Sequence, residues 1–303
     1  MAEQLRFDNR VVIVTGAGNG LGRAHALLFA SRGAKVVVND LGGSSAGDGA
    51  SHRAADVVVN EIKAAGGEAV ANYNSVADGA AVVQTALDAF GRVDVVVNNA
   101  GILRDAIFHK MTEADFDAVV AVNLKGPFNV ARAAATPMRE QGGGRMLHMT
   151  STSGLIGNFG QANYAAAKLG VAGLSRSIAL DMARFGVTSN AIAPFAWSRM
   201  TGTIPINSEA DRIRVERMRA MTPAKVAALA VALAADGAAQ VSGQIFSVRG
   251  NEIFLYSQPR PIRALARLEG WTPQDVLAHA LPAFAPSFTP LERSADVFCW
   301  DPV

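Results

Sequence analysis

Residues 10–40 read RVVIVTGAGNGLGRAHALLFASRGAKVVVND, and the order of residue types in them decides the fold. An apolar run from Arg10 to Thr15 leads into a glycine-rich turn, residues 16–22. An alanine-rich segment with Leu27, Leu28 and Phe29 follows up to Gly33, and a second valine-rich run, Lys35 to Asn39, ends on Asp40. Strand, glycine turn, helix and strand is the context that a dinucleotide-binding turn requires. Gly16 permits the sharp turn, Gly20 lets the backbone approach a pyrophosphate at the helix N-terminus, and Gly22 lets helix and strand pack closely. The spacing is G-x-x-x-G-x-G with Gly18 as an extra glycine, which differs from the G-x-G-x-x-G of two-domain dehydrogenases. Asp40 lies 20 residues after Gly20, where a carboxylate accepts hydrogen bonds from an adenosine ribose. A carboxylate there repels a 2'-phosphate, and no arginine follows at once in LGGSSAGDGASHR, so NAD is expected over NADP. A plain glycine-rich turn followed by a solvated aspartate is the alternative that a second motif must exclude.

The periodicity continues the alternation. Helical patterns cover 50–65, 78–90, 112–122, 124–140, 163–185 and 223–235; strand patterns cover 68–72, 93–97, 145–149, 187–192 and 244–248. Residues 42–49 are a flexible or nest-forming loop between them. This specifies an α/β fold, a three-layer doubly wound parallel sheet (Rossmann-like) with a C-terminal appendage. Residues 1–250 are expected to form the catalytic domain. Within it, 195–222 breaks the rhythm and reads as loop plus short helix, forming a lid over the sheet's C-terminal edge. Residues 251–303 carry seven of the twelve prolines and a helix start at Thr272-Pro273, and are expected to pack on the core or on a neighbouring subunit. Arg260, Arg263 and Arg267 in this tail read as a solvated face or as partners for substrate phosphates.

Composition excludes several classes. The 303 residues are half hydrophobic with 29 glycines, and a formal charge of +2 with 18% charged residues is far from a nucleic-acid-binding profile. One cysteine, Cys299, excludes an internal disulfide framework and suits a reducing compartment. The start MAEQLRFDNR lacks the apolar core of a secretory signal, and the longest apolar run, Val226 to Ala235, is too short to span a bilayer. A soluble cytoplasmic protein, without a metal at its site, is the expectation.

The second motif lies in residues 145–185, RMLHMTSTSGLIGNFGQANYAAAKLGVAGLSRSIALDMARF. Tyr164 and Lys168 are four apart and share a helical face, and Gly154 to Gln161 is long enough to fold Ser151 back over it. A phenol titrates near 10 in water, and a fixed ammonium favours the phenolate. The three side chains would then surround one alcohol or carbonyl. Two further polar features accompany them: Asn98-Asn99-Ala100-Gly101 at a strand end, and Asn123 in an apolar stretch, where it holds backbone groups or a water.

With the glycine turn, Asp40, the NNAG run, Asn123 and the Ser-Tyr-Lys group in this order, residues 10 to about 250 resemble a short-chain dehydrogenase/reductase. The resemblance implies a catalytic tetrad of Asn123, Ser151, Tyr164 and Lys168: tyrosine passes the proton, serine polarises the carbonyl, lysine holds the nicotinamide ribose and lowers the tyrosine pKa, and asparagine anchors a relay water. It implies cofactor contacts from Gly16, Asn19, Gly20, Leu21, Gly22, Asp40, Ser75, Val76, Asn99, Ala100, Gly101, Tyr164, Lys168 and Pro194. Within the family, RFDNRVVIVTGAGNGLGRAHAL, VVVNDLGG, ANYNSV, TALDAFGRVDVVVNNAGILRD, GNFGQANYAAAKLG and SRMT resemble the (3R)-hydroxyacyl-CoA dehydrogenase branch, found in type 2 peroxisomal multifunctional enzymes and also called 17β-hydroxysteroid dehydrogenase type 4. That branch implies NAD, an acyl-CoA or sterol-side-chain CoA substrate and a homo-oligomer, dimer or tetramer. The chain departs from the pattern at Phe195, where a glycine is common after Pro194, and in the segment after Met200. It also lacks hydratase and sterol-carrier domains, and its Asp-Pro-Val ending suits a free-standing bacterial cytoplasmic enzyme. Phe195, Trp197, Met200 and Ile204 are expected to line the acyl side. The alternatives are a 17β-hydroxysteroid or general secondary-alcohol dehydrogenase, and a nucleotide-binding regulatory or scaffold protein.

Overall fold

The computed structural model describes residues 4–196 and 208–303. Strands β1 (Val11–Thr15), β2 (Lys35–Asn39), β3 (Glu68–Asn72) and β4 (Val95–Asn98) alternate with helices α1 (Gly20–Ser31), α2 (Arg53–Ala64) and α3 (Gly79–Phe90). Helices α4 (Glu113–Val120) and α5 (Gly126–Gln141) precede β5 (Gly144–Met149), and a short helix α6 (Thr152–Leu155) and the long α7 (Ala162–Met182) precede β6 (Val187–Phe195). Then come α8 (Glu209–Ala220), α9 (Pro223–Ala234), β7 (Ile245–Arg249) and β8 (Glu252–Leu255). The eight strands form one sheet in the order β3-β2-β1-β4-β5-β6-β7-β8, parallel except for β8.

Period-two alternation explains the layers. On β1, Val12 and Val14 join the apolar layer containing Phe29 of α1, Ile62 of α2 and Ala230 of α9. Val11 and Ile13 join the opposite layer, with Val82 of α3 and Val130 and Ala134 of α5. All four β1 side chains are fully buried, each adding roughly 1.5–3 kcal/mol of transfer free energy. The order reverses between β1 and β4, and a sheet of this kind binds ligands outside the carboxyl ends of its strands at that reversal.

Two expectations are corrected. The parallel sheet has an antiparallel edge, because Gly250 and Asn251 turn the chain straight back along β7, with Gly250 at φ +62° as a two-residue hairpin needs. The division at residue 250 therefore cuts through a hairpin. Helices 112–122 and 124–140 do not break at Asn123: residues 121–125 form a π turn that joins α4 to α5. In the segment 195–222, Phe195 ends β6 and 209–220 are helical, while residues 197–207, with Trp197, Met200 and Ile204, lie outside the described residues.

The tail returns to the sheet edge. Phe298 packs edge-on against Phe195 and Phe254, with ring centroids 4.9 and 5.3 Å away, and the Trp300 indole donates to Glu252 at 2.7 Å. Phe195, half-buried, is thus in contact with the tail. Further along, Ser294 donates its backbone N–H to the Gly157 carbonyl at 2.9 Å. Thr272 and Asp275 form a reciprocal capping box, and Asp275 also pairs with Arg267, so that arginine is already engaged.

Two histidines are sealed inside. His25 on α1 and His148 on β5 are both fully buried, and burial pushes each imidazole down to about 4, with Lys168 adding to the effect at His148. The folded chain holds them neutral, whereas the unfolded chain protonates them below about pH 6.5. Stability is therefore intact at pH 7.5 and falls as pH drops from 6.5 toward 4. One such group costs about 2 kcal/mol by pH 5. Urea unfolding of the parent and His25→Leu at pH 7.5 and 5 should show the substituted chain losing about 2 kcal/mol less between the two; equal losses would mean that His25 carries none of the acid sensitivity.

Candidate active site

The carboxyl ends of β1, β2, β4, β5 and β6 lie along one edge of the sheet, and the residues just beyond them make the site. A cleft of about 700 Å³ opens there, a volume suited to a small-molecule ligand. Gly16, Asn19, Gly20, Asp40, Ser75, Val76, Asn99, Ala100 and Gly101 line it. Leu21 and Gly22 lie behind the lining in the first turn of α1, and Pro194 stands on β6 two residues past Ile192, which pairs with Met149. Leu41, Gly42, Arg53 and Val57 also line the cleft but were not singled out from the sequence, because only the folded loop after Asp40 brings them to it.

The glycine turn is shaped by close approach. A Cβ on Gly16 would sit 2.8 Å from the Ala100 Cα, and one on Gly22 would strike the Gly16 carbonyl. Asn99 ties the two walls together: its amide donates to the Thr15 and Gly16 carbonyls at 2.9 and 3.1 Å. Asn19 makes no side-chain cap on α1, so the first N–H groups of that helix stay available to an anion. Asp40 accepts the Gly18 and Gly42 N–H groups, each at 2.7 Å, one on each carboxylate oxygen, which leaves further lone pairs for a donor in the cleft. Gly18 is thus part of the site, not only an extra glycine. An uncapped helix start, a glycine wall and a fixed carboxylate are a donor and acceptor set that fits a dinucleotide.

The Ser151–Tyr164–Lys168 group sits next to this cleft. Lys168 is 3% exposed; its ammonium donates to the Met149 carbonyl at 2.8 Å and lies 5.6 Å from the Tyr164 ring centre. Burial lowers the Lys168 pKa to about 8. Burial also pushes the Tyr164 phenol up to about 12, against a downward pull from the Ser151 hydroxyl and with a further rise from Asp105. This is opposite to the lowered phenol expected from the Tyr-Lys spacing: in the free protein burial outweighs the pull of Ser151, and the phenol stays protonated at neutral pH. Ser151 caps α6, accepting the Ser153 N–H at 3.1 Å. Asn123 spends its side chain on the backbone of Ile102, accepting its N–H at 2.9 Å and donating to its carbonyl at 2.8 Å. Of the two roles open to it, holding backbone groups is the one its side chain performs. Gly101 must be small here, since a Cβ would lie 2.6 Å from the Asn123 amide oxygen.

A family model for the short chain dehydrogenases matches residues 10–205. The chain belongs to this family. As a short-chain dehydrogenase it is an oxidoreductase enzyme, and such dehydrogenases generally use NAD or NADP. It is 60% identical over 203 residues to the peroxisomal multifunctional enzyme type 2 of Drosophila melanogaster, covering 67% of this chain and 34% of that protein. The chain thus spans about a third of the length of that curated relative. A hydroxyacyl-CoA dehydrogenase of Mycobacterium tuberculosis is 39% identical over 92% of this chain and 90% of its own length. A crystal structure of a short-chain dehydrogenase from Mycobacterium avium superposes with a TM-score of 0.81 at 43% identity, covering 93% of this chain and 97% of that one. Among the described residues, no helix of this dehydrogenase is long and apolar enough to cross a membrane, and no cluster of three or more His, Cys, Asp or Glu could hold a metal ion.

Tyr164→Phe keeps the ring and removes the hydroxyl. Turnover at saturating dinucleotide should fall at least about 10²-fold while dinucleotide affinity changes little. Near-normal turnover would remove Tyr164 from the chemistry.

Proposed function

We propose that this dehydrogenase oxidises a (3R)-hydroxyacyl-CoA, fatty acyl or sterol side-chain, to the 3-oxoacyl-CoA with NAD, and that Ser151, Tyr164, Lys168 and Asn123 carry the chemistry. The observation that carries this reading is the half-buried Tyr164, with the Ser151 hydroxyl against its phenol and the Lys168 ammonium 5.6 Å from its ring centre, beside a cleft lined by Asp40. The thioester substrate rests on likeness to relatives named as hydroxyacyl-CoA dehydrogenase and multifunctional enzyme type 2. A nicotinamide dinucleotide bound in the cleft supplies the hydride acceptor and, when oxidised, a positive ring charge.

The chain's own groups then divide the work. The Ser151 hydroxyl holds the substrate oxygen. Tyr164 takes the hydroxyl proton as the carbon–oxygen double bond forms, and the Lys168 ammonium beside its ring favours the phenolate that must exist first. At about 5–6 Å and an effective dielectric near 20, that ammonium is worth on the order of 3 kcal/mol to the phenolate. Asn123 fixes Ile102 and Gly101, the strand-end segment that forms the wall opposite Lys168. Asp40 favours NAD, because its carboxylate is held in place by two N–H groups and would face a 2'-phosphate with like charge. Homo-oligomerisation belongs to the same reading: Leu169 and Leu180 on α7 and Phe128 on α5 are large apolar side chains left exposed. So does a cytoplasmic, reducing location, consistent with the unpaired, exposed Cys299.

NADH formation from separate (3R)- and (3S)-hydroxyacyl-CoA, with a free 17β-hydroxysteroid alongside, tests the substrate. The R thioester should be fastest; a faster S form overturns the handedness, and a faster steroid overturns the substrate class. Replacing NAD by NADP should lower kcat/KM, and Asp40→Ser should narrow the gap and weaken NAD by roughly 1.5–3 kcal/mol. Equal values for both cofactors in the parent enzyme would contradict the role of Asp40.

A further inference from the structure

The glycine-serine loop after Asp40 forms one wall of the cleft, through Leu41 to Ser45 and Gly47, and Asn99 to Ile102 form the facing wall. The loop tip is closed on itself: Ser44 donates its N–H to the Asp48 carbonyl at 2.8 Å, and Gly47 donates to Ser44 at 3.0 Å. Among the described residues, every hydrogen bond from the tip, residues 44–48, to the rest of the chain goes to Leu103 or Arg104. The Leu103 N–H donates to the Ser45 carbonyl at 3.0 Å. Arg104 donates through Nε to the Ala46 carbonyl at 3.0 Å and through one terminal nitrogen to the Asp48 carboxylate at 3.4 Å. Its other terminal nitrogen lies 3.5 Å from Asp115 in the first turn of α4. Gly47 rests against Ile102, where an added Cβ would lie 3.0 Å from the isoleucine Cδ1. These bonds join the two walls above the cleft.

We propose that Arg104 is a positioning residue that straps the 42–49 loop across the dinucleotide cleft and thereby sets how tightly and how long a dinucleotide is held; this rests on the cleft taking the nicotinamide dinucleotide proposed above. The side-chain type fits the task. A guanidinium presents nitrogens in a rigid fork, so one side chain reaches a carbonyl, a loop carboxylate and a helix carboxylate at once. The exposed pair with Asp48 contributes little by itself, since solvent screens it. The bond to the Ala46 carbonyl, made by a side chain only 29% exposed, is the strong arm. Arg104 is anchored from behind as well: its own carbonyl accepts the amide of Asn163, at 2.9 Å, next to Tyr164 on α7. The strap is thus fixed to the α7 helix at one end and to the loop at the other, and opening it costs the loop tip its hydrogen bonds to the far wall.

The test compares the parent enzyme with Arg104→Met, Arg104→Lys and Gly47→Ala, the last disturbing the same contact from the loop side without touching Arg104. The readouts are the dissociation constant of ADP-ribose, the KM for NAD and kcat at saturating NAD. Arg104→Met should raise the dissociation constant and the KM at least about tenfold while kcat at saturation stays within about twofold. Arg104→Lys, which keeps the charge but loses the fork, should fall between, and Gly47→Ala should move both constants in the same direction. A parent that binds ADP-ribose with variants that bind it equally well overturns the strap alone. Lower kcat at unchanged KM in Arg104→Met also overturns it, since Arg104 would then act through Asp115 on the catalytic side. A parent that binds neither ADP-ribose nor NAD overturns the strap together with the proposed function.

Discussion

One buried charge organises the active half of this protein. The Lys168 ammonium, 3% exposed, is satisfied by the carbonyl of Met149, the last residue of β5. An isolated ammonium in that position would be costly, so the bond fixes α7 against the end of β5. Thr150 adds a second tie, donating its hydroxyl to the Lys168 carbonyl at 2.6 Å. The short α6 packs so tightly on α7 at this point that a Cβ on Gly154 would lie 2.5 Å from the Leu169 nitrogen. Ser151, one residue beyond Thr150, and Tyr164, one turn before Lys168, are carried into register by the same ties.

The rest of the site is built by bonds between successive strand ends. Asn99 binds the β4 end to the glycine turn after β1, Asp40 binds the β2 end to the same turn, and Asn123 binds the segment after β4 to the π turn before α5. Each link spends a polar side chain on backbone groups that the irregular chain leaves unpaired. Such a site is held in place before any ligand arrives, as the proposed proton transfer from a substrate set beside a hydride acceptor would require.

Sequence alone made the parallel sheet legible, because strands buried on both faces must be runs of Val and Ile with no polar alternation, as in residues 11–14 and 95–97. The glycine turn and the Tyr-Lys spacing were legible for a related reason: each is a short-range pattern whose geometry follows from local chemistry. The antiparallel β8 was not. Its four residues, Glu-Ile-Phe-Leu, expose every second side chain at a sheet edge and gain their place from β7 and from the returning tail. The π turn was hidden because an extra residue inside a helix leaves no punctuation, and Asn123 was read as a boundary. The direction of the Tyr164 shift was hidden too. It depends on burial by distant segments and on Asp105, 59 positions away in the chain, whereas the spacing to Lys168 reveals only the favourable charge.

If the Lys168 ammonium is what makes the Tyr164 phenolate reachable, its removal must show in the pH dependence of catalysis. The direct measurement is kcat/KM for alcohol oxidation from pH 6 to 11 in the parent enzyme and in Lys168→Met. Oxidation needs the deprotonated phenol, so the rate rises with pH to a plateau. With NAD saturating, the rising limb in the parent should lie at least about one pH unit below that in the variant. Superimposable limbs in the two proteins would contradict it.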